Sequence, residues 1–196
     1  VQGRIRNLIK MRESAATLSE IEFDAQTGLY TRQAFFHHAS LLLNTHPETP
    51  HQIVVVDIHN FKQVNSIYGE NVGDDVIRFL AKELKRLISN GLVCHYDGDS
   101  FAFMEPVGHS VEELEEAVRD ISKRSPVRKI QFKCGICQCD DLTLPVSVIC
   151  NRAFLALNSI RDDVNRLAAA YDDPINQQFC REREMETSFE DAVQNQ

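Results

Sequence analysis

The chain has 196 residues, enough for one domain with short extensions and too few for two of ordinary size. Its 43% hydrophobic and 26% charged residues exclude a disordered or fibrous chain. The 29 acidic against 21 basic side chains, a net charge of -8, make a field that repels a phosphate backbone and exclude general nucleic-acid binding. Apolar runs such as Ile53–Val56 are far too short to span a bilayer, and the polar, charged N-terminus has no apolar signal segment. The first residue is Val1 and the last is the polar Gln196, which suggests a piece of a longer chain. Six cysteines (Cys94, Cys134, Cys137, Cys139, Cys150 and Cys180) are too few for a secreted disulfide scaffold, so reduced cytosolic thiols are expected. Cys134, Cys137 and Cys139 have the look of a zinc motif, but they lie in an extended pattern with no second Cys/His pair at finger-like spacing. They read as strand thiols.

In chain order, Arg4 to Phe23 has sparse apolar positions among charges and reads as an exposed helix leading into the domain. Thr31 is a candidate N-cap for a helix to Leu43, with Ala34, Phe35, His38, Leu41 and Leu42 on one side. Ile53-Val54-Val55-Val56-Asp57 reads as a strand buried on both faces and ending in a carboxylate. Asn60 to Tyr68 suits a short helix stopped by Gly69. Asp74 then opens a long amphipathic helix carrying Ile77, Leu80, Leu84, Leu87 and Ile88 and closing near Asn90-Gly91.

Leu92–Tyr96 and Ser100–Met104 flank Asp97-Gly98, which predicts a hairpin with positive φ at both central positions. Ser110 and Glu113 form a capping-box pattern before Leu114, Ala117, Val118 and Ile121. Lys129–Gln138 is the next predicted strand and Pro145–Ile160 the next helix. Leu167–Tyr171 is ambiguous, because alanine favours helix while the alternation favours strand. An acidic tail with weak helical spacing follows from Asp173. Helices alternating with strands around one hairpin predict a mixed sheet with helices on its faces.

Asp57 at a strand end and Asp99 beside the hairpin turn could converge on one hard cation if their strands are neighbours. Lys62 could meet a phosphate, while Asn65 and Asp74 offer an amide and a carboxylate to a purine edge. Each residue also has a plain structural reading. On that reading Asp57 terminates a strand, Asp99 serves the turn, Asp74 caps a helix, and Lys62 and Asn65 are surface residues. There is no P-loop or dinucleotide fingerprint.

Taken together, these segments resemble the GGDEF domain, the diguanylate cyclase family related in fold to adenylyl cyclase. Asp24-Ala25-Gln26-Thr27-Gly28-Leu29-Tyr30-Thr31-Arg32 is similar to the family's Asp-x-Leu-Thr-Gly-Leu-x-Asn-Arg. Asp57-Ile58-His59-Asn60-Phe61-Lys62 through Asn65-Ser66 is similar to Asp-Ile-Asp-x-Phe-Lys-x-Ile-Asn-Asp, and Tyr68-Gly69 with Gly73-Asp74 to the segment after it. Asp97-Gly98-Asp99-Ser100-Phe101 stands where the naming pentapeptide belongs, and Cys134-Gly135-Ile136 resembles a later Ser-x-Gly-Ile strand shortened by one.

The resemblance covers residues 24–171. It implies an α/β (α+β) nucleotidyl-cyclase-like fold with a five-stranded, mostly antiparallel sheet flanked by helices. It also implies Mg2+ on Asp57, Asp99 and the Ile58 carbonyl, and GTP on Lys62, Asn65 and Asp74. The departures imply lost catalysis. Ser100 replaces the family's catalytic glutamate, and a hydroxyl neither adds a carboxylate to the metal site nor acts readily as a base. Asp97 replaces the first glycine, His59 the second aspartate, and Asn158 stands near an expected lysine. Ile88-Ser89-Asn90-Gly91 lacks the Arg-x-x-Asp inhibitory site.

The expected organisation is a linker helix over 1–23, the GGDEF-like domain over 24–172 and an acidic connector over 173–196. The connector resembles those that lead into an EAL phosphodiesterase domain. The expected function is a GTP-sensing regulatory module of a cytoplasmic bacterial cyclic di-GMP signalling protein, able to form a homodimer. The alternatives are an active diguanylate cyclase and a purely structural dimerisation module.

Overall fold

The computed structural model describes residues 22–172 and 174–175. Most of the predicted N-terminal helix and nearly all of the acidic connector, with Cys180, fall outside them. Eleven elements are described: β1 Tyr30–Thr31, α1 Arg32–Thr45, β2 His51–Ile58, α2 Phe61–Tyr68, α3 Glu70–Leu87, β3 Leu92–Asp97, β4 Ser100–Pro106, α4 Val111–Arg124, β5 Phe132–Gln138, α5 Val146–Ser159 and β6 Ala168–Ala170.

One sheet runs in the order β1-β3-β4-β2-β5-β6. Its three inner pairings are antiparallel and the two outer ones, β1 with β3 and β5 with β6, are parallel. The sheet is therefore six-stranded, not five-stranded. The extra strand is the two-residue β1, too short to carry an alternation pattern, whose Tyr30 and Thr31 pair with Cys94 and His95. Ala168–Ala170 is a strand, which resolves the ambiguous Leu167–Tyr171.

β2 is the centre of the molecule. All eight of its residues are buried, because β4 and β5 flank it and helices cover both faces. Val54, Val56 and Ile58 face a core shared with α3, α4 and the Val64 side of α2. Ile53 and Val55 face the opposite core, made with α1 and α5. On that second face Gly135 lets α5 approach the sheet: a Cβ there would strike the Ala153 carbonyl and, at 2.5 Å, the Leu157 nitrogen.

Two helix starts follow their predicted chemistry. Thr31 caps α1 by accepting from the Ala34 N–H (3.3 Å), and Ser110 with Glu113 forms the complete capping box of α4. Four expectations need correction. The buried stripe of α1 is Phe35, Ala39 and Leu43, leaving Leu41 55% exposed, because the packed row follows one i, i+4 ridge. Asp74 does not open the long helix: α3 begins at Glu70, directly after the break made by Gly69 at φ 87°, so Asp74 lies in its second turn. β5 begins at Phe132, three residues late, since Lys129 takes a left-handed φ of 63°. The hairpin turn is Gly98-Asp99 rather than Asp97-Gly98, and only Gly98 (φ 51°) has positive φ. A register shift between His95 and Asp97 moves the turn by one residue.

Candidate functional site

The C-terminal end of β2 places Asp57 between two partners in the ladder, Ser100 of β4 and Lys133 of β5. Directly opposed residues of an antiparallel pair share a face, so Asp57 and Ser100 meet. The Ser100 hydroxyl donates to Asp57 Oδ1 at 3.0 Å. Arg161, on the segment after α5, reaches Asp57 Oδ2 at 3.5 Å. The Ile58 N–H donates to the Asp99 carbonyl (3.3 Å), which ties the hairpin turn to the end of β2.

The electrostatics of this corner are unbalanced. Burial pushes the Asp57 carboxyl above its ordinary pKa, and the nearby negative charge of Asp99 adds to the push. Ser100 and Arg161 pull it back only in part. A buried carboxylate with a second negative charge beside it is short of positive charge, and carboxylate and carbonyl oxygens suit Mg2+. Asp57, Asp99 and the Ile58 carbonyl are oxygen donors of the type that the resemblance expects for Mg2+, while no group of three or more His, Cys, Asp or Glu gathers as a metal cluster among the described residues. Ser100, at the position where the resemblance expects a glutamate, brings a hydroxyl to this corner.

His59 sits beside this corner with its N–H donating to the Gln131 carbonyl (2.9 Å). Burial lowers its pKa, and the charges of Lys133 and Arg161 lower it further against Asp162. The Asn60 amide lies 2.9 Å from His59 Nε2, a partnership that a neutral ring accepts.

The purine-edge candidates gather where α2 and α3 meet. Asn65 lies one turn into α2, and its Oδ1 is buried with no hydrogen-bond partner among the described residues. Gly73 of α3 makes room for it: a Cβ at Gly73 would collide with that oxygen. Asp74 follows at once, and its Oδ1 accepts from the Gln26 amide at 2.8 Å. Lys62 is exposed on the first turn of α2. The structure thus holds two groups, Asp57 with Asp99 at the strand ends and Asn65 with Asp74 at the helix pair, joined by α2.

Three contributors were not singled out from sequence. Gln26 occupies one oxygen of Asp74 from 48 residues away. Arg161 reaches Asp57 across 104 residues, and no local pattern marks it. Lys133 is 2% exposed, and its Nζ donates to the carbonyls of Ile160 (2.7 Å), Arg161 (2.8 Å) and Asp163 (2.7 Å). The one charged residue of Phe132–Ile136 was its signal. The cysteines of β5 and α5 are ordinary buried thiols. Burial pushes Cys134 and Cys150 up to about 12 and Cys137 up to about 11, so they stay protonated at neutral pH.

No helix among the described residues is long and apolar enough to cross a membrane. The family model for the diguanylate cyclase GGDEF domain matches residues 21–165. The chain is 35% identical over 128 residues to diguanylate cyclase VdcA of Vibrio cholerae, a match covering 58% of this chain and 37% of VdcA. Diguanylate cyclase DgcM of Escherichia coli is 30% identical over 86 residues, or 42% of this chain and 21% of DgcM. The chain therefore spans well under half the length of these relatives. Among solved structures, the coiled coil and GGDEF domain of DgcB from Caulobacter crescentus, in complex with c-di-GMP, superposes with a TM-score of 0.72. That match has 24% identity and covers 86% of this chain and 96% of the DgcB chain. The active GGEEF domain of a Vibrio cholerae diguanylate cyclase gives 0.61 at 23% identity, over 73% of this chain and 97% of that one. These structural likenesses establish the fold, and the family match over residues 21–165 establishes the rest: the chain belongs to the diguanylate cyclase GGDEF-domain family.

Proposed function

We propose that this domain binds Mg2+ and GTP without making cyclic di-GMP, and that it serves as a nucleotide-sensing module within a cyclic di-GMP signalling protein. The observation that carries this reading is Ser100. It stands opposite Asp57 at the place of the family's glutamate and spends its hydroxyl on Asp57 Oδ1 (3.0 Å). No carboxylate is offered there to take a proton from a ribose hydroxyl, and a serine hydroxyl is not ionised near neutral pH.

The residues that the resemblance assigns to metal, phosphate and guanine, Asp57, Asp99, Lys62, Asn65 and Asp74, are all present beside that departure. Asp57, Asp99 and the Ile58 carbonyl would hold Mg2+, which when bound neutralises charge on a triphosphate. Lys62 offers an ammonium to phosphate from the exposed face of α2. The unpartnered Asn65 oxygen and the second oxygen of Asp74 can take N–H donors of a guanine edge. The occupied state would reach a neighbouring domain of the parent, an EAL phosphodiesterase in our reading, through the chain segments outside the cyclase-like fold.

The test is a calorimetric titration of GTP into the 196-residue chain with Mg2+ present, repeated on Asp57→Ala and Asp99→Ala. Saturable, Mg2+-dependent binding that both variants lose supports the sensing role. No binding at millimolar GTP reduces the domain to a structural module. Identity to a named diguanylate cyclase favours the second reading, an active enzyme, and cyclic di-GMP in the titrated sample would establish it over ours.

A further inference from the structure

We propose that Arg161 is a gate on the metal position: an internal cation that holds the Asp57 carboxylate and must withdraw before a divalent cation can bind there. This rests on reading Asp57 as a metal ligand. The geometry carries it. Both oxygens of Asp57 are engaged, Oδ1 by the Ser100 hydroxyl at 3.0 Å and Oδ2 by the Arg161 guanidinium at 3.5 Å. The Asp57 side chain is only 10% exposed, so the Arg161 guanidinium lies on the little of it that solvent reaches.

The Arg161 side chain is itself 59% exposed, so it has solvent to swing into. Its backbone has no such freedom. The Lys133 ammonium is held by the carbonyls of Ile160, Arg161 and Asp163, and Lys133 faces Asp57 across the β2–β5 ladder. Sheet register therefore fixes the base of the arm at Asp57, while the guanidinium stays free to move.

Charge decides between the two occupants. With three carboxylates a site can hold a divalent cation and a guanidinium together. With Ser100 in place of the third, two carboxylates face either +1 from Arg161 or +2 from the metal, and adding both puts like charges against each other. The same serine that removes a general base turns Arg161 from a bystander into a competitor.

The experiment titrates Mn2+, followed by its electron paramagnetic resonance signal, into the nucleotide-free 196-residue chain. It compares wild type with Arg161→Gln, with the double variant Arg161→Gln/Asp57→Asn, and with Arg119→Gln. The last is a charge-matched control whose arginine pairs with Glu115 on α4. The gate predicts that Arg161→Gln binds Mn2+ roughly five- to tenfold more tightly than wild type. It also predicts that the double variant loses this gain and that Arg119→Gln matches wild type. Equal affinity in wild type and Arg161→Gln, abolished by Asp57→Asn, overturns the gate and leaves the metal reading standing. An equal gain in Arg119→Gln overturns it as a general charge effect. No Mn2+ bound by any variant overturns the gate and the metal reading together.

Discussion

Two aspartates flank the Gly98-Asp99 turn, and the fold treats them in opposite ways. Asp24 accepts the Thr27 N–H (2.9 Å), the Thr27 hydroxyl (2.6 Å) and His95 Nδ1 (3.0 Å). Burial raises its pKa, but those donors outweigh burial and hold it below the ordinary carboxylate value. His95 passes the support on: its Nε2 lies 2.8 Å from the Gly98 carbonyl, and its ring stacks on Phe101 at 5.0 Å. Asp57, on the other side of the turn, is more deeply buried and has two donors against a like-charged neighbour, so its pKa is raised. A carboxylate whose needs are met inside the fold braces structure. One left short of positive charge has interaction free energy available for a ligand.

The comparison breaks most visibly at Asp24. Asp24→Ala removes three hydrogen bonds to a charged acceptor and should cost about 2–3 kcal/mol, lowering Tm by roughly 5–10 °C in thermal unfolding followed by circular dichroism. Asp24→Asn keeps an oxygen for Thr27 and should lose about half as much. If Asp24→Ala unfolds within a degree of wild type, Asp24 is not a brace. Ser100→Glu pushes the other way, worsening the charge shortage at Asp57 and Asp99. It should cost about 1 kcal/mol in the presence of a chelator, and Mg2+ should return that loss. Destabilisation that Mg2+ does not relieve would show that these groups fail to converge on a cation.

Much of the fold was legible because its signals are local. Ile53–Val56 announced the central strand by β-branching and unbroken apolarity, and Ser110 with Glu113 announced the α4 cap. β1 was not legible, since two residues carry no period and depend on partners at Cys94 and His95. Asp74 misled because aspartate is a common helix cap, so its residue type suggested a start that the backbone does not make there. The start of α3 was set by Gly69 instead. Asp57 and Asp99 were read from a strand end and a hairpin turn, the resemblance supplied their expected roles, and the register Asp57↔Ser100 makes their strands neighbours. Arg161, Lys133 and Gln26 act through contacts 27 to 104 residues away, beyond any pattern a window along the chain can hold.

The smallest expected effect separates the two aspartates most cleanly, because its sign differs between them. Asp24 has a lowered folded pKa, so its ionised form contributes stability that is full above the ordinary carboxylate value of 3.8 and disappears as pH falls through the folded value. Asp57 has a raised folded pKa, so its native form holds a proton longer than the unfolded chain does. Its ionisation then costs stability at neutral pH, and that cost vanishes as pH falls toward 3.8. Asp57→Asn, which keeps an oxygen for the Ser100 hydroxyl, should therefore melt at or up to about 2 °C above wild type at pH 7. It should lose Mg2+-dependent GTP binding, and its difference in Tm should close by pH 4. Asp24→Asn should melt below wild type at pH 7. Tm measured for the three proteins between pH 3 and pH 7 checks both signs at once. A lower Tm for Asp57→Asn at pH 7 would mean that the Arg161 pairing outweighs burial, and that Asp57 is a second brace rather than a site held ready for a cation.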